Sequence, residues 1–349
     1  MDKLTVRQFG MTEKGEKARL YTMKNDAGTS VSVTDYGAAL VSVKVKGKGG
    51  ALLDVVLGYD DAAGYERGGA SIGATVGRSA NRIKGAQIEI DGKSYTLDKN
   101  DGGNNLHSGL DYYNKRLWET AENEDDHVTF LLHSPDGDQG YPGALDMRVT
   151  YSLDEENLLT IHYEAVPDKD TVINMTNHSY FNLNGHDSGS VLGHSVMLDA
   201  DAFTPADEES IPTGEIRPVD GTPMDFRTPK QLGAEIDADY EPLRFGGGYD
   251  HNWVLKNKNG FDKVAEVTAD KSGIRMEVWT DLPGVQMYTA NFLDNEPGKD
   301  GAVYGSRSAV CLETQYYPDA VHHDNFPGPI CRGGEKYDTR TAYRFVPCE

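Results

Sequence analysis

The sequence predicts an all-β protein, and three observations carry that reading. Apolar and polar residues alternate with a period of two over much of the chain. Helical periodicity is scarce. Glycine and proline fall mostly between the alternating stretches, where turns belong. Many short strands separated by turn signals suit a β-sandwich or a barrel.

In chain order, "VSVKVK" (41–46) sets Val41, Val43 and Val45 on one face and Ser42, Lys44 and Lys46 on the other. "AQIEIDGKSYTL" (86–97) alternates, turns at Asp91-Gly92 and alternates again, which predicts a tight hairpin. In "LDMRVTYSLDEENLLTIHYEAV" (145–166), Leu145, Met147, Val149 and Tyr151 share a face. A polar turn follows, then Leu159, Ile161 and Tyr163. "GIRMEVWTDLPGVQMYTANF" (273–292) and "TAYRFV" (341–346) continue the pattern. One helix is expected in "TPKQLGAEI" (228–236), with Thr228 as N-cap and Pro229 in the first turn. No repeat, linker or composition break divides the chain, so one domain over residues 1–349 is expected.

The chain has 349 residues, 38% hydrophobic and 26% charged, with a formal net charge of −22. That field repels nucleic acid and anionic membrane surfaces, and a neutral ligand feels little of it. No apolar run is long enough to span a bilayer. The start "MDKLTVRQFGM" lacks the apolar core of a signal peptide, so a cytoplasmic protein is expected. Cys311, Cys331 and Cys348 form no CxxC pair and read as reduced packing residues.

Five segments are too polar for plain structure. They are "VGRSANRIKG" (76–85, with Arg78, Asn81 and Arg82), "NDGGNNLHSG" (100–109, with His107), "TVINMTNHSYFNLNG" (171–185, with His178 and Tyr180), "GGGYDHNW" (246–253, with Asp250) and "AVCLETQYYPDA" (309–320, with Glu313). As a strand, the last puts Ala309, Cys311, Glu313 and Gln315 on one face and Val310, Leu312 and Thr314 on a core face. A carboxylate in such a strand needs water, a donor or a ligand, because burying an unpaired charge is costly. Plainer readings stand beside each signal. Glu313 could pair with Arg78, Arg82 or Arg332, and His178 could donate to a carbonyl beside a bulge. His107 could be a solvated loop residue, Asp250 a turn residue, Arg82 the partner of a neighbouring acid, and Gln286 an ordinary exposed strand residue. His322-His323 reads as a surface loop.

Taken together, "VGRSANRI", "NLHSG", "TNHSYFNL", "GYDHNW", "PGVQMYTANF", "LETQYYPDA" and "GPICRGGEKYDTRTAYRF" occur in an order that resembles the aldose 1-epimerase (galactose mutarotase) family. The resemblance runs from about Val31 to Phe345. It implies a large twisted antiparallel β-sandwich with an open concave sugar cleft, and interconversion of the α and β anomers of free aldohexoses. It implies no cofactor and no metal, and a small-molecule aldose as partner. By motif, Glu313 is implied as general base and His178 as general acid, with Asn81, Arg82, His107, Tyr180, Asp250 and Gln286 lining the sugar site. The run Cys331-Arg332-Gly333-Gly334 departs from the family, which often has a proline before Gly-Glu; it touches only a terminal loop.

The implied chemistry needs these residue types. Opening a hemiacetal ring takes a proton from the C1 hydroxyl and delivers one to the ring oxygen. Nearby carboxylates are expected to raise the His178 pKa and favour its imidazolium. Three rivals remain open. A hexose-6-phosphate mutarotase would use Arg78 and Arg82 for the phosphate. A sugar-binding module would lack catalysis. A metal hydrolase would use His107, His178, Asp250 and Glu313. Oligomeric state is not legible in the residues.

Overall fold

The computed structural model describes residues 3–257 and 260–346, so Cys348 lies outside it. Three antiparallel sheets dominate the described residues. A nine-stranded sheet runs Glu119–Asn123, His127–Ser134, Leu145–Leu153, Leu158–Pro167, Tyr337–Val346, Arg275–Thr280, Asp262–Thr268, Ser195–Leu198 and Lys230–Gln231. A six-stranded sheet runs Tyr180–Phe181, Val310–Gln315, Gly284–Tyr288, Asp250–Leu255, Ala200–Thr204 and Arg217–Pro218. A five-stranded meander, Leu4–Met11 to Leu52–Asp54, completes the set. The expected antiparallel all-β architecture is present. Among the described residues no helix is long and apolar enough to cross a membrane.

The nine- and six-stranded sheets pack face to face. Val310 and Leu312 meet Tyr343 and Phe345 in the main core. Phe181 lies 4.8 Å from the Tyr343 ring centroid, and the Tyr343 hydroxyl donates to the Leu312 carbonyl at 3.0 Å. The period-two reading holds for Leu145, Met147, Val149, Tyr151, Leu159, Ile161 and Tyr163, all in the main core. It fails at Val41, where a β-bulge sends Leu40 to the main core with Val43 and Val45 and turns Val41 to a separate cluster. The hairpin Gln87–Ile90/Lys93–Thr96 turns on Asp91 (φ 51°) and Gly92 (φ 78°), the two positive φ angles that its tight two-residue turn demands.

The helix expected at 228–236 does not form. Lys230–Gln231 pairs with Ser195 and Val196 at the sheet edge, followed by a single 3-10 turn, Leu232–Ala234. Gly233 donates to the Leu192 carbonyl at 2.8 Å, and a Cβ at this position would lie 3.0 Å from the Leu192 Cβ and carbonyl oxygen. Edge pairing and close packing override a weak local helix propensity. The two α-helices among the described residues, Ala62–Arg67 and Glu241–Gly246, are single short turns that the period-3.6 signal is too brief to mark.

Gly73 anchors the segment carrying His178. Its N–H donates to the His178 carbonyl at 2.9 Å, and its own carbonyl accepts from Leu40 N at 2.8 Å and Asn177 Nδ2 at 3.1 Å. Its φ is +69°, and a Cβ there would run into the Leu40 carbonyl oxygen. Gly73→Ala is expected to cost roughly 1–3 kcal/mol in a urea melt and to slow catalysis by shifting His178. Unchanged stability would show that this backbone relaxes freely.

Candidate active site

Strand register builds the floor of the site. Within the six-stranded sheet, Glu313 pairs with Gln286 and Gln286 with Asn252. Asp250 pairs with Tyr288, Tyr288 with Cys311, and Cys311 with Tyr180. Directly paired residues point the same way, so one face carries Tyr180, Cys311, Glu313, Gln286, Tyr288 and Asp250. The opposite face holds Val310, Leu312, Val285, Met287 and Trp253, all core. Apart from the fully buried Cys311, that face forms the floor of a cleft of about 450 Å³. Every residue implied by motif lines it: Asn81, Arg82, His107, His178, Tyr180, Asp250, Gln286 and Glu313.

The polar crowd around His178 mostly holds backbone in place. Asn174 donates to the Tyr316 carbonyl (3.2 Å) and accepts from Tyr316 N (2.9 Å), clamping the end of the Glu313 strand. Asn177 reaches Gly73 and the Tyr151 hydroxyl, and Asn182 reaches the Gly189 and Ser308 carbonyls. His178 is left facing the cleft. Its Nε2 lies 3.6 Å from Glu313 Oε1, and its ring stacks on Tyr180 at 4.9 Å and 14°. The Tyr180 hydroxyl is taken by the Ala70 carbonyl (2.9 Å), so Tyr180 serves the site as a platform.

The plainer pairings for Glu313 are not found. Arg78 is fully buried elsewhere, donating to the Pro142 and Gly143 carbonyls (2.8 Å each), Thr171 (3.1 Å) and Ser134 (2.5 Å). Arg332 pairs with Asp91 and Asp170. Arg82 does bind a neighbouring acid, Asp101, through Nε at 2.7 Å, which leaves its terminal nitrogens for the cleft. Phosphate recognition thus loses Arg78, one of its two candidate cations.

The remaining groups are oriented by their neighbours. His107 accepts from Asn81 N through Nδ1 at 3.2 Å, which puts the proton of the neutral ring on Nε2. Burial holds its pKa well below the ordinary histidine value, so it stays a neutral donor. Asn81 Oδ1 accepts from Arg82 N at 2.9 Å, leaving the Asn81 amide free to donate. Gln286 is buried rather than exposed, and donates to Asp250 Oδ1 at 2.7 Å.

Burial dominates the electrostatics. It pushes the Glu313 carboxyl well above its ordinary range, helped by the Asp250 charge and opposed by Arg82. It pushes the His178 imidazole down to about 4. The expectation of a raised His178 pKa is therefore overturned. Desolvation dominates, opposed only by a hydrogen bond with its own backbone, because the ring is enclosed by Tyr180, Tyr288 and His107. Nor do the four groups of the metal-hydrolase reading converge. Among the described residues the cluster that includes cleft residues is His178, Cys311 and Glu313, with Cys311 buried outside the lining.

Residue-by-residue reading missed Tyr288, Phe292, Leu293, Asp294 and Glu296 in the lining. The signal for Tyr288 was available, since it stands two residues after Gln286 on one strand. Phe292 is 67% exposed at the rim and stacks on Tyr288 at 6.2 Å.

A family model described as aldose 1-epimerase matches residues 19–344. The chain belongs to the aldose 1-epimerase family. It is 43% identical over 316 residues to a galactose mutarotase from Bos taurus, covering 90% of each chain. It is 38% identical over 335 residues to an aldose 1-epimerase from Escherichia coli K12, covering 95% of this chain and 96% of that one. Among solved structures, an aldose epimerase homologue from C. elegans superposes with a TM-score of 0.87 at 33% identity, covering 93% of this chain and 98% of that one. A galactose 1-epimerase from Lactobacillus acidophilus superposes with a TM-score of 0.87 at 28% identity, covering 99% of each. The family's twisted β-sandwich is thus the fold of this chain.

Proposed function

We propose that this aldose 1-epimerase inverts C1 of free aldohexoses such as galactose and glucose, with Glu313 as base and His178 as acid. One observation carries the assignment: Glu313 Oε1 and His178 Nε2 lie 3.6 Å apart on the floor of the cleft. The C1 hydroxyl and the ring oxygen are both bonded to C1, so the groups that serve them must be near neighbours within hydrogen-bond reach. Glu313 takes the hydroxyl proton while His178 protonates the ring oxygen. The aldehyde turns about C1–C2, the O5 hydroxyl attacks its other face, and both transfers reverse. Arg82, Asn81, His107, Asp250 and Gln286 grip the remaining oxygens.

The pair holds one shared proton throughout. Before opening it is carboxylate and imidazolium; after opening it is carboxylic acid and imidazole. Both states are neutral overall, which suits a desolvated floor. In the sugar-free cleft burial favours the neutral forms, so the proton rests on Glu313. Sugar hydroxyls donating to the carboxylate draw it to His178.

The sign of the pH dependence follows. Below the depressed His178 value of about 4, both groups are protonated and the base is lost. Above the raised Glu313 value the last proton leaves and the acid is lost. The rate–pH profile is expected to carry an acid limb near 4 and an alkaline limb where Glu313 loses its raised proton. His178→Asn should slow anomer exchange by roughly 10²–10⁴-fold and remove the acid limb. An acid limb unchanged in the variant would mean that another group sets it.

Glucose 6-phosphate should be turned over more slowly than glucose, because Arg78 is buried away from the cleft and Arg82 alone is left to meet the phosphate. Faster turnover of the phosphate ester would reverse the substrate assignment. We read residues 1–349 as one domain, supported by a main core that draws on both Tyr21 and Phe345. The free thiols Cys311 and Cys331 suit the reducing cytoplasm.

A further inference from the structure

Cys311 is fully buried just beneath the cleft, outside its lining, and ring opening does not use it. It stands two residues before Glu313 on one strand and directly across from Tyr180, which itself follows His178 by two. The period of two therefore turns Cys311, Glu313 and His178 toward a common point. One ligand atom from each lies within 4.8 Å of the other two.

We propose that these three side chains form an inhibitory site for a thiophilic divalent cation, with Zn²⁺ the best fit. The set is one thiolate, one imidazole and one carboxylate, a donor set that zinc accepts with the fourth position open. One edge of the site is already close to the zinc geometry. Zinc bonds of about 2.1 Å at the tetrahedral angle place nitrogen and oxygen ligands roughly 3.4 Å apart. His178 Nε2 and Glu313 Oε1 are 3.6 Å apart before any ion arrives. Binding displaces the shared proton of the pair and the thiol proton to solvent. The bound ion then occupies both the base and the acid, so it competes with the sugar.

A second cluster, His162, Glu164 and Asp338, is the weaker candidate. It is partly exposed, has no sulfur, and Lys336 already neutralises it through Glu164 (2.6 Å) and Asp338 (2.7 Å). The inhibitory consequence rests on the catalytic reading of Glu313 and His178; the binding does not.

The test combines mutarotation rates by polarimetry in zinc chloride with absorbance titration by cadmium chloride, on the wild type, Cys311→Ala and Cys311→Ser. Zinc should inhibit the wild type competitively with galactose, and a chelator should restore the rate. Cys311→Ala should keep the zinc-free rate and lose at least about tenfold in zinc sensitivity. Cadmium should give a thiolate-to-metal band that Cys311→Ala lacks; Cys311→Ser tests the same loss with a side chain closer in size. Equal zinc sensitivity in wild type and both variants would overturn the proposal, as would a cadmium band that survives the loss of Cys311. A Cys311-dependent band with no slowing of mutarotation would leave the metal site standing and sink the catalytic assignment instead.

Discussion

Glu313→Gln is expected to fold normally and to lose anomer exchange by roughly 10²–10⁴-fold. The amide matches the carboxyl in shape but takes up no proton from the C1 hydroxyl. The strand that carries it is held independently, by pairing with Gly284–Tyr288 and by the Asn174 clamp at Tyr316. Stability should respond in the opposite direction. A carboxyl whose folded pKa is raised binds its proton more tightly in the native state. Stability therefore falls as pH rises from the unfolded value through the folded one. Glutamine removes that slope, so at neutral pH the variant should melt at the same temperature as the wild type or higher. Polarimetry and a thermal melt at two pH values check both halves. Near-normal mutarotation would overturn Glu313 as the base, whatever the melt shows.

The second large effect is on stability. Arg78→Met should cost about 3–5 kcal/mol, read as a lower urea midpoint. The guanidinium is fully buried, and it satisfies two backbone carbonyls and two hydroxyls. Ser134 passes the interaction on to Asp138 at 2.9 Å, and Tyr113 joins the same hydroxyl at 2.7 Å. Methionine fills the volume and leaves the Pro142 and Gly143 carbonyls without their donor, at about 1–3 kcal/mol each. Lysine should not rescue it, since a single ammonium does not reproduce the planar fork. Because Arg78 is absent from the cleft lining, the folded variant should retain its rate. A lost rate with unchanged stability would return Arg78 to the site.

The candidate site shows where sequence reading works. Glu313 was legible because a carboxylate inside an apolar alternation has few physical outlets. Its neighbours Gln286 and Asp250 entered only through the resemblance, since by themselves they read as an exposed strand residue and a turn residue, while Tyr288 was available from strand alternation. Arg78 and Arg82 stand four residues apart in one motif and looked alike. One ends beneath the sheets among carbonyls and the other at the cleft, a difference set by residues 134, 142, 143 and 171, far along the chain. The helix expected at 228–236 failed for a related reason: its backbone donors and acceptors found partners in a distant strand.

By itself the sequence determined the strands, the faces they bury and the tight turn at Asp91-Gly92, because those depend on side-chain alternation and local backbone preference. It also determined which chemical groups were on hand. Only the tertiary structure decided which of them meet. Histidine 178 and glutamate 313 are 135 positions apart in the chain, and strand register alone brings their side chains to 3.6 Å. It also decided the direction of both pKa shifts, His178 down and Glu313 up, because desolvation is a property of the enclosing walls.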